Sequence, residues 1–269
     1  MKLEIDNIRF SYNSTPVLDN VTLKLGCGEV LAVVGPNGSG KSTLLKCIDQ
    51  ILKPQSGAIM IDHKSIKDYK KEDIAKKLGY VPQGNGGSFP TTVFDTILLG
   101  RKPHIRWGLT SKDLNVVTKV IEMLNLEDLA LRDINELSGG QRQKVIIGRA
   151  LAQKPSILLL DEPTANLDLK HQLEVLKLIR DQADHGVSAI IAIHDLNLAL
   201  RYGDKIVMLD KGKVFAAGNL DVLTPENIES VYDVKVRVIR DKERIIVIPE
   251  ESNGNNGDKN GRTTDYRNS

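Results

Sequence analysis

The sequence predicts an α/β fold in which a parallel β-sheet is flanked by helices. Two observations carry this prediction. Between residues 157 and 193, two apolar runs at 157–160 and 188–193 lie on either side of a helical pattern at 169–184. Earlier in the chain, the apolar run 29–34 ends abruptly at a glycine, and helix signals follow at 41–51. Strands that alternate with helices in this way are typical of parallel sheets with helices packed on their faces.

Further strands are predicted in the first third of the chain. Leu3–Tyr12 opens with alternating apolar and charged residues, which indicates a strand with one buried face. Short apolar stretches at 58–62 and 78–81 indicate two more strands.

The middle of the chain is predicted to be helical. Residues 84–87 are rich in glycine, and residues 90–135 then show helix-period apolar spacing with little strand signal. Four apolar residues of this region share one predicted helix face. They are Leu114, Val117, Ile121 and Leu124. A further helix is predicted from the two glycines at 139–140 to about residue 153.

Composition limits the possible functions. The 269 residues suffice for one large domain or two small ones, and 37 basic residues against 35 acidic ones give a net charge of +2. This even balance disfavours nucleic acid as a partner. Cys27 and Cys47 cannot form a disulfide framework, so each is predicted to be a small apolar residue in a reducing compartment. Neither a signal peptide nor a membrane span is indicated, so we expect a cytosolic chain that reaches a membrane only through a partner.

The run at 35–43 fits the pattern G-x-x-x-x-G-K-[ST] between a predicted strand and a predicted helix. Its members are Gly35, Pro36, Asn37, Gly38, Ser39, Gly40, Lys41, Ser42 and Thr43. Glycines let backbone N–H groups turn toward phosphate oxygens at the positive end of the following helix. Lys41 would carry charge to the β- and γ-phosphates, and Ser42 would ligate Mg²⁺. The alternative is an ordinary glycine-rich turn.

A second apolar strand ends in two carboxylates, Asp161 and Glu162. Asp161 is predicted to hold the Mg²⁺ through water, and Glu162 to be the base that orients and polarises the attacking water. The alternative is a strand that simply reaches solvent.

The segment 137–141 is a second helix start with a serine cap and bare glycine amides, and it therefore resembles a second anion-binding loop. Its predicted ligand-binding residues are Ser138, Gly139, Gly140 and Gln141. One ATP needs only one phosphate-binding loop, and residues 35–43, the cradle, already supply it. A twofold dimer, in which each ATP lies between the cradle of one chain and the 137–141 loop of the other, uses both loops. A purely structural helix cap is the alternative.

With these motifs in this order, residues 1–225 closely resemble the ABC ATPase family. Residues 35–43 resemble its Walker A loop, 137–141 match its signature, and 157–162 resemble its Walker B strand with the catalytic carboxylate. The resemblance implies a P-loop NTPase core with an N-terminal antiparallel β region and an inserted α-helical subdomain. It implies an ATP hydrolase that uses ATP and Mg²⁺.

The resemblance assigns roles to four further residues. Tyr12 stands where the family stacks an aromatic ring on adenine, and Gln83 matches the glutamine that reaches Mg²⁺ and links the site to the helical region. Asp168 matches the loop that crosses the dimer interface, and His194 matches the histidine that contacts the γ-phosphate. Without the resemblance, each would be an ordinary core, loop or strand-end residue.

The implied domain organisation is a core at 1–83 and 151–225, a helical subdomain at 84–150 and a short extension at 226–250. Residues 251–269 are almost all polar or glycine and are predicted to be a disordered tail.

Segments 89–103, 194–199 and 212–218 resemble importers of iron–siderophore, haem and cobalamin. This resemblance implies a second ATPase subunit, integral membrane permease subunits, indirectly an extracytoplasmic substrate-binding protein, and a location on the cytoplasmic face of the membrane. A soluble ABC ATPase that serves as an assembly scaffold, for example in iron–sulfur cluster biogenesis, and an exporter subunit are the alternatives.

Overall fold

The structure is a computed structural model that describes residues 2–84, 90–241 and 244–250. The predicted tail and most of the glycine-rich segment 84–87 lie outside these residues. The strands are β1 (Leu3–Tyr12), β2 (Thr15–Leu25), β3 (Val30–Val34), β4 (Ser56–Ile61), β5 (Lys64–Ser65), β6 (Leu78–Val81), β7 (Ile157–Asp161), β8 (Ser188–Ala192), β9 (Lys205–Asp210), β10 (Lys213–Asn219), β11 (Val236–Asp241) and β12 (Arg244–Pro249). The α-helices are α1 (Lys41–Ile48), α2 (Lys71–Lys77), α3 (Val93–Leu98), α4 (Ser111–Met123), α5 (Gly139–Ala152), α6 (Leu169–Asp184), α7 (Leu196–Tyr202) and α8 (Pro225–Tyr232).

The central sheet has the order β10-β9-β3-β8-β7-β6. Its pairs β9–β3, β3–β8, β8–β7 and β7–β6 are parallel, and β10 joins its edge antiparallel to β9. A separate antiparallel sheet has the order β2-β1-β4-β5. The predicted α/β fold with a parallel core and an N-terminal antiparallel region is therefore confirmed.

Both faces of the central sheet are covered, as a parallel sheet requires. On β3, Val30, Ala32 and Val34 pack in one apolar cluster with residues of α3 to α8, while Leu31 and Val33 pack in another. The second cluster contains α1 and the antiparallel sheet. Full burial of both faces explains why 29–34 reads as a continuous apolar run rather than an alternating one.

Helix α1 is shorter than its predicted range of 41–51. It ends at Ile48, and Gln50 takes a φ of +60°. The N–H of Leu52 then bonds back to the carbonyl of Lys46, six positions earlier, which satisfies a free carbonyl at the end of the helix. The apolar residue Ile51 is 55% exposed beyond this turn.

The region 90–152 contains α3, α4, α5 and short 3₁₀ turns, one of them at Leu99–His104. On α4, Val117, Ile121 and the following Leu124 are buried as predicted, but Leu114 is 41% exposed. The buried face is shifted, and Val116 and Val120 join it. A buried ion pair explains the shift, because Asp113 turns inward to accept a 3.0 Å hydrogen bond from Nε of Arg101.

The C-terminal hairpin of β11 and β12 is attached to α7 by one amide side chain. Asn197 Nδ2 donates to the carbonyl of Val247 at 3.1 Å, and Asn197 Oδ1 accepts from the N–H of the same residue at 2.8 Å. In the described residues, no helix is both long and apolar enough to cross a bilayer.

Candidate active site

Strands β3, β6, β7 and β8 run parallel, so their carboxyl ends meet at one edge of the sheet. The predicted site residues follow these ends. Residues 35–43 follow β3, and Gln83 follows β6. Glu162 follows β7, and His194 follows β8. The carboxyl edge of an open α/β sheet is the usual place for a ligand.

The loop at 35–43 turns sharply because of its first glycine. Gly35 has a φ of +151°, and a Cβ placed on it would lie 2.2 Å from the carbonyl oxygen of Leu209. The loop then curls back on itself, and Lys41 Nζ donates to the carbonyls of Gly35 at 2.8 Å and Pro36 at 3.1 Å. These carbonyls hold the ammonium group inside the curl of the loop.

The interior of this loop suits an anion. Lys41 is 5% exposed, and burial lowers its pKa, while the carboxylates of Glu162 and Asp161 act in the opposite direction. The hydroxyl of Ser39 is buried and has no hydrogen-bond partner in the described part of the chain. A phosphate would satisfy this hydroxyl and would compensate the charge of Lys41.

A cavity of about 390 Å³ opens beside the loop. It is lined by Val17, residues 37–43, Gln83 and Glu162. The cavity therefore joins the phosphate-binding pattern of one strand end to the carboxylate of another.

Asp161 lies under this cavity and is 1% exposed. The Ser42 hydroxyl donates to its Oδ1 at 2.8 Å, and the Tyr80 hydroxyl donates to its Oδ2 at 3.3 Å. Burial raises the pKa of Asp161, and these hydrogen bonds act against that rise. Burial also raises the pKa of Tyr80, so its hydroxyl keeps the proton that it donates.

The pair of Asp161 and Ser42 fits a hard divalent cation. Both offer oxygen atoms, the ligands that Mg²⁺ prefers, and within the described residues Asp161 forms no ion pair with lysine or arginine. Gln83, the third predicted metal ligand, is placed differently. Its amide nitrogen donates to Glu162 rather than to Asp161 or Ser42.

Glu162 is held between two side chains. Gln83 Nε2 donates to its Oε2, and His194 Nε2 lies 2.5 Å from its Oε1. The side chain of Glu162 is 12% exposed, whereas that of His194 is 43% exposed and can move toward solvent. The structure thus brings three of the predicted catalytic residues into one contact group, with Lys41 facing the same cavity.

Tyr12 lies outside the lining of this cavity. Its side chain is 45% exposed, and its ring meets Phe10 edge-on with 4.9 Å between centroids. The ring is therefore partly accessible to solvent, and its role in adenine stacking stays a prediction.

The second predicted phosphate loop is separate from the cradle. Ser138 and Gln141 cap α5 reciprocally, with Ser138 Oγ accepting from the Gln141 N–H at 3.3 Å and Gln141 Oε1 accepting from the Ser138 N–H at 3.1 Å. Ser138 and Gly139 are exposed, and none of 138–141 lines the cavity beside the cradle. Asp168 likewise caps α6 and is not among the residues that line this cavity.

Tyr80 is a site residue that the motifs do not reveal. It contacts Asp161 because β6 is the direct neighbour of β7, with Tyr80 opposite Leu159. The order of strands in the sheet is the signal that would have found it, and that order is not local information.

Known proteins are similar to this chain in sequence and in fold. The family described as ABC transporter matches residues 18–165. An uncharacterised ABC transporter ATP-binding protein of Methanocaldococcus jannaschii is 52% identical over 250 residues, covering 93% of this chain and 98% of that protein. The petrobactin import ATP-binding protein FpuC of Bacillus anthracis is 35% identical, covering 96% of each chain. A solved structure titled as an inward-facing putative metal-chelate type ABC transporter aligns with a TM-score of 0.80 at 32% identity, covering 93% of this chain and 98% of that one.

This chain belongs to the ABC transporter family, as an ATP-binding protein. It is an ATP hydrolase of that family, and the predicted phosphate-binding loop at 35–43 lies within the matched residues.

Proposed function

We propose that this chain is the ATP-hydrolysing subunit of an importer for a metal chelate such as an iron–siderophore, haem or cobalamin. The contact group of Glu162 with Gln83 and His194, at the mouth of the phosphate cavity, is the observation that carries the chemical part. The likeness over nearly the full chain to a metal-chelate type transporter and to a petrobactin import protein supports the transport part.

Glu162 is the proposed base. Each of its oxygens has one contact, with Gln83 or with His194, so these two side chains rather than an attacking water orient the carboxylate. A γ-phosphate in the cradle offers His194 a more strongly charged acceptor, and the loss of one contact frees a carboxylate oxygen. Gln83 is proposed to turn from Glu162 toward the metal site in the same change. The base is therefore released only when nucleotide is bound.

Ser42 and Asp161 are proposed to hold Mg²⁺, with Gln83 joining them. The ion would neutralise negative charge on the phosphates while Lys41 contributes a second positive charge. The nucleotide is proposed to contact the whole of 35–43 through backbone N–H groups, and Tyr12 to stack on its base.

The working unit is proposed to be a dimer. The cradle and the 138–141 loop belong to one chain, yet 138–141 does not line the cradle's cavity. A twofold arrangement in which Ser138 to Gln141 of one copy close over the ATP of the other uses both loops, and Asp168 then crosses the interface.

Coupling to transport is proposed to run through the helical region. We assign the core to 1–83 and 151–225, the helical subdomain to 84–150 and an extension to 226–250.

A cytoplasmic helix of the membrane permease would dock on the face around Gln83 and residues 89–93, of which Phe89 lies outside the described residues. A cavity of about 480 Å³ between β6, α2 and α5, with Leu99 59% exposed on its rim, extends the surface available to such a helix. The chain then works at the cytoplasmic face of the membrane, beneath the permease and indirectly with a substrate-binding protein.

The test is reconstitution of the complex. The tagged chain, purified from its native membranes in detergent, is expected to bring with it a protein with many apolar spans. In proteoliposomes, the complex should take up a labelled ferric siderophore, haem or cobalamin only with ATP inside the compartment that the chain faces. The matched control is the same complex with Glu162→Gln, which should bind ATP but not transport.

A Thr92→Cys variant sharpens the test. Thr92 caps α3 at the start of the helical region, and its cysteine should crosslink to a cytoplasmic loop of the permease. A chain that co-purifies with iron–sulfur cluster assembly proteins and shows no crosslink with or without ATP would support the scaffold function instead.

A further inference from the structure

The two loops that the proposed dimer presents to a partner copy begin neighbouring helices. Residues 138–141 start α5, and Asp168 starts α6 as its cap. One side chain in the first turn of α6, His171, contacts both. No motif of the nucleotide site includes this residue.

On one side, His171 is tied to Asp168. The backbone N–H of His171 donates to Asp168 Oδ1 at 2.9 Å, and Nδ1 of its ring lies 2.7 Å from the same oxygen. A carboxylate only accepts hydrogen bonds, so Nδ1 carries the proton. These bonds lower the pKa of Asp168, with the backbone N–H as the largest cause.

On the other side, the same ring lies against Gly140. A Cβ placed on Gly140 would be 2.3 Å from Cδ2 and 2.5 Å from Cγ of His171, which leaves no room for any side chain. Gly139, its neighbour, has nothing within 4 Å of the equivalent position. The two glycines therefore differ: Gly139 has open space beside it, and Gly140 is needed for the approach of the ring.

A second contact joins the same helices one turn further along. Lys144 Nζ of α5 lies 2.7 Å from Glu174 Oε2 of α6. The start of α5 and the start of α6 are thus held together at two successive turns, although the Lys144–Glu174 pair is partly exposed and weak by itself.

We propose that His171 is a positioning residue that fixes the 138–141 loop relative to Asp168, so that one chain presents both to the ATP bound by its partner. The inference rests on the dimer proposed above. Its consequence is that His171 serves assembly on ATP and does not serve nucleotide binding by the chain's own cradle.

The experiment uses the full chain with Glu162→Gln, in which ATP is expected to hold the dimer, and compares variants by sedimentation velocity at a series of protein concentrations. His171→Ala should raise the dimer dissociation constant about 10-fold, the usual scale for losing a hydrogen bond to a charged group. The affinity of the monomer for a fluorescent ADP analogue should stay unchanged. The backbone bond from residue 171 to Asp168 survives in this variant, so α6 keeps its cap and the fold is retained, which thermal unfolding checks.

Two further variants separate positioning from packing. His171→Asn can donate from an amide nitrogen at about the place of Nδ1 and should restore much of the dimer, whereas His171→Phe keeps a ring but no donor and should not. Gly140→Ala should weaken the dimer strongly, and adding His171→Ala to it should cost nothing more, because the ring that clashes is gone. Gly139→Ala is the matched control, because nothing lies beside Gly139, and adding His171→Ala to it should cost the same factor of about 10 as in the parent.

The outcomes are distinguishable. If the Glu162→Gln parent stays monomeric with saturating ATP and Mg²⁺, the proposed dimer itself is wrong. If the parent dimerises but His171→Ala dimerises equally well, or His171→Asn is no better than His171→Ala, the positioning role of His171 is overturned and the dimer stands.

Discussion

The cradle at 35–43 and the loop at 138–141 are both helix starts rich in glycine, yet they differ in how deeply each is buried and in what its side chains bond to. In the cradle, Ser39, Gly40 and Lys41 are buried, and the lysine is held by carbonyls of the same loop. At 138–141, Ser138 and Gly139 are exposed, and the cap is satisfied by its own side chains. The difference teaches that a buried, internally bonded loop can enclose an anion within one chain, whereas an exposed, self-capped helix start encloses none by itself.

The largest effect is expected from the cradle. Lys41→Ala should abolish detectable ATP binding and turnover, because it removes the only positive side chain at the phosphate cavity among the described lining residues. The melting temperature should stay close to that of the parent, since burial of the charged lysine is itself unfavourable for the folded state. Lys53→Ala, at an exposed position beyond α1, is the control and should leave both measurements unchanged. Normal turnover in Lys41→Ala would contradict the assignment of the cradle.

The next largest effect is expected on the rate of hydrolysis, with ATP binding unchanged. Glu162→Gln should keep ATP affinity but lower the hydrolysis rate by about 10²–10⁴, the usual loss when a general base is removed. The amide fills the same space and cannot take a proton. A phosphate-release assay measures the rate, and nucleotide binding is followed separately. Hydrolysis at the parental rate would show that another group activates the water.

Base stacking is expected to contribute less. Tyr12→Ala should weaken ATP binding by about 1–3 kcal/mol, the range for losing one base–aromatic stack. Tyr12→Phe is the matched control, because it keeps the ring and should retain the affinity. Calorimetric titration with ATP and with inorganic triphosphate separates base from phosphate contacts, and an equal loss for both ligands would argue against stacking.

A smaller effect is expected at the exposed loop. Ser138→Ala removes the cap of α5 and should lower stability by about 1 kcal/mol. It should weaken the ATP-driven dimer and leave the monomer's nucleotide affinity unaltered, in contrast to Lys41→Ala. Sedimentation and ADP-analogue binding measured on the same samples check this contrast. A loss of monomer affinity in Ser138→Ala would mean that the two loops act on one nucleotide within a single chain.

The far end of the cradle helix gives a pH-dependent test. Burial raises the pKa of Asp49, the residue that ends α1, to about 7, and a negative charge at a helix C-terminus is also unfavourable. The folded state then holds a proton that the unfolded state has lost between about pH 4 and pH 7, so the free energy of unfolding falls as pH rises through this window. Asp49→Asn should be more stable than the parent at pH 8 by about 1–4 kcal/mol, and the gain should shrink toward pH 4.

Urea unfolding of both proteins across this pH range measures the difference. Asp68→Asn, at an exposed position, is the control and should follow the parent. A gain that does not depend on pH would show that Asp49 is ionised at the same pH in the folded and unfolded states.

The sequence predicts the fold class and most strand and helix positions because these depend on local patterns. Helix Leu169–Asp184 and strand Leu78–Val81 agree with the predicted limits to the residue. The end of α1 was predicted three residues late because its closure depends on a backbone turn at Gln50, where no glycine or proline marks it. On α4, Leu114 was wrongly placed in the core, because the ion pair of Asp113 with Arg101 that turns the helix joins residues from two separate elements.

The candidate site was predicted as a set of residues, but not as a set of contacts. The motifs indicate Glu162, Gln83 and His194, yet only the sheet order brings them together. Tyr80 and His171 were missed because each contacts a residue of another element, Asp161 in the first case and Gly140 in the second. Strand β10 was not predicted because its sequence shows no clear apolar alternation. It is an edge strand whose residues alternate between exposed and half-buried.

The side chain of Asn197 holds the C-terminal hairpin in an unusual way. Its amide meets both backbone groups of Val247, as the backbone of an adjacent strand would. A two-stranded hairpin is only marginally stable alone and leaves edges on which other chains can add strands. By bonding to the N–H and the carbonyl of Val247, Asn197 covers part of one edge of the hairpin of β11 and β12. Its replacement by leucine would leave these two backbone groups open to pairing with another chain.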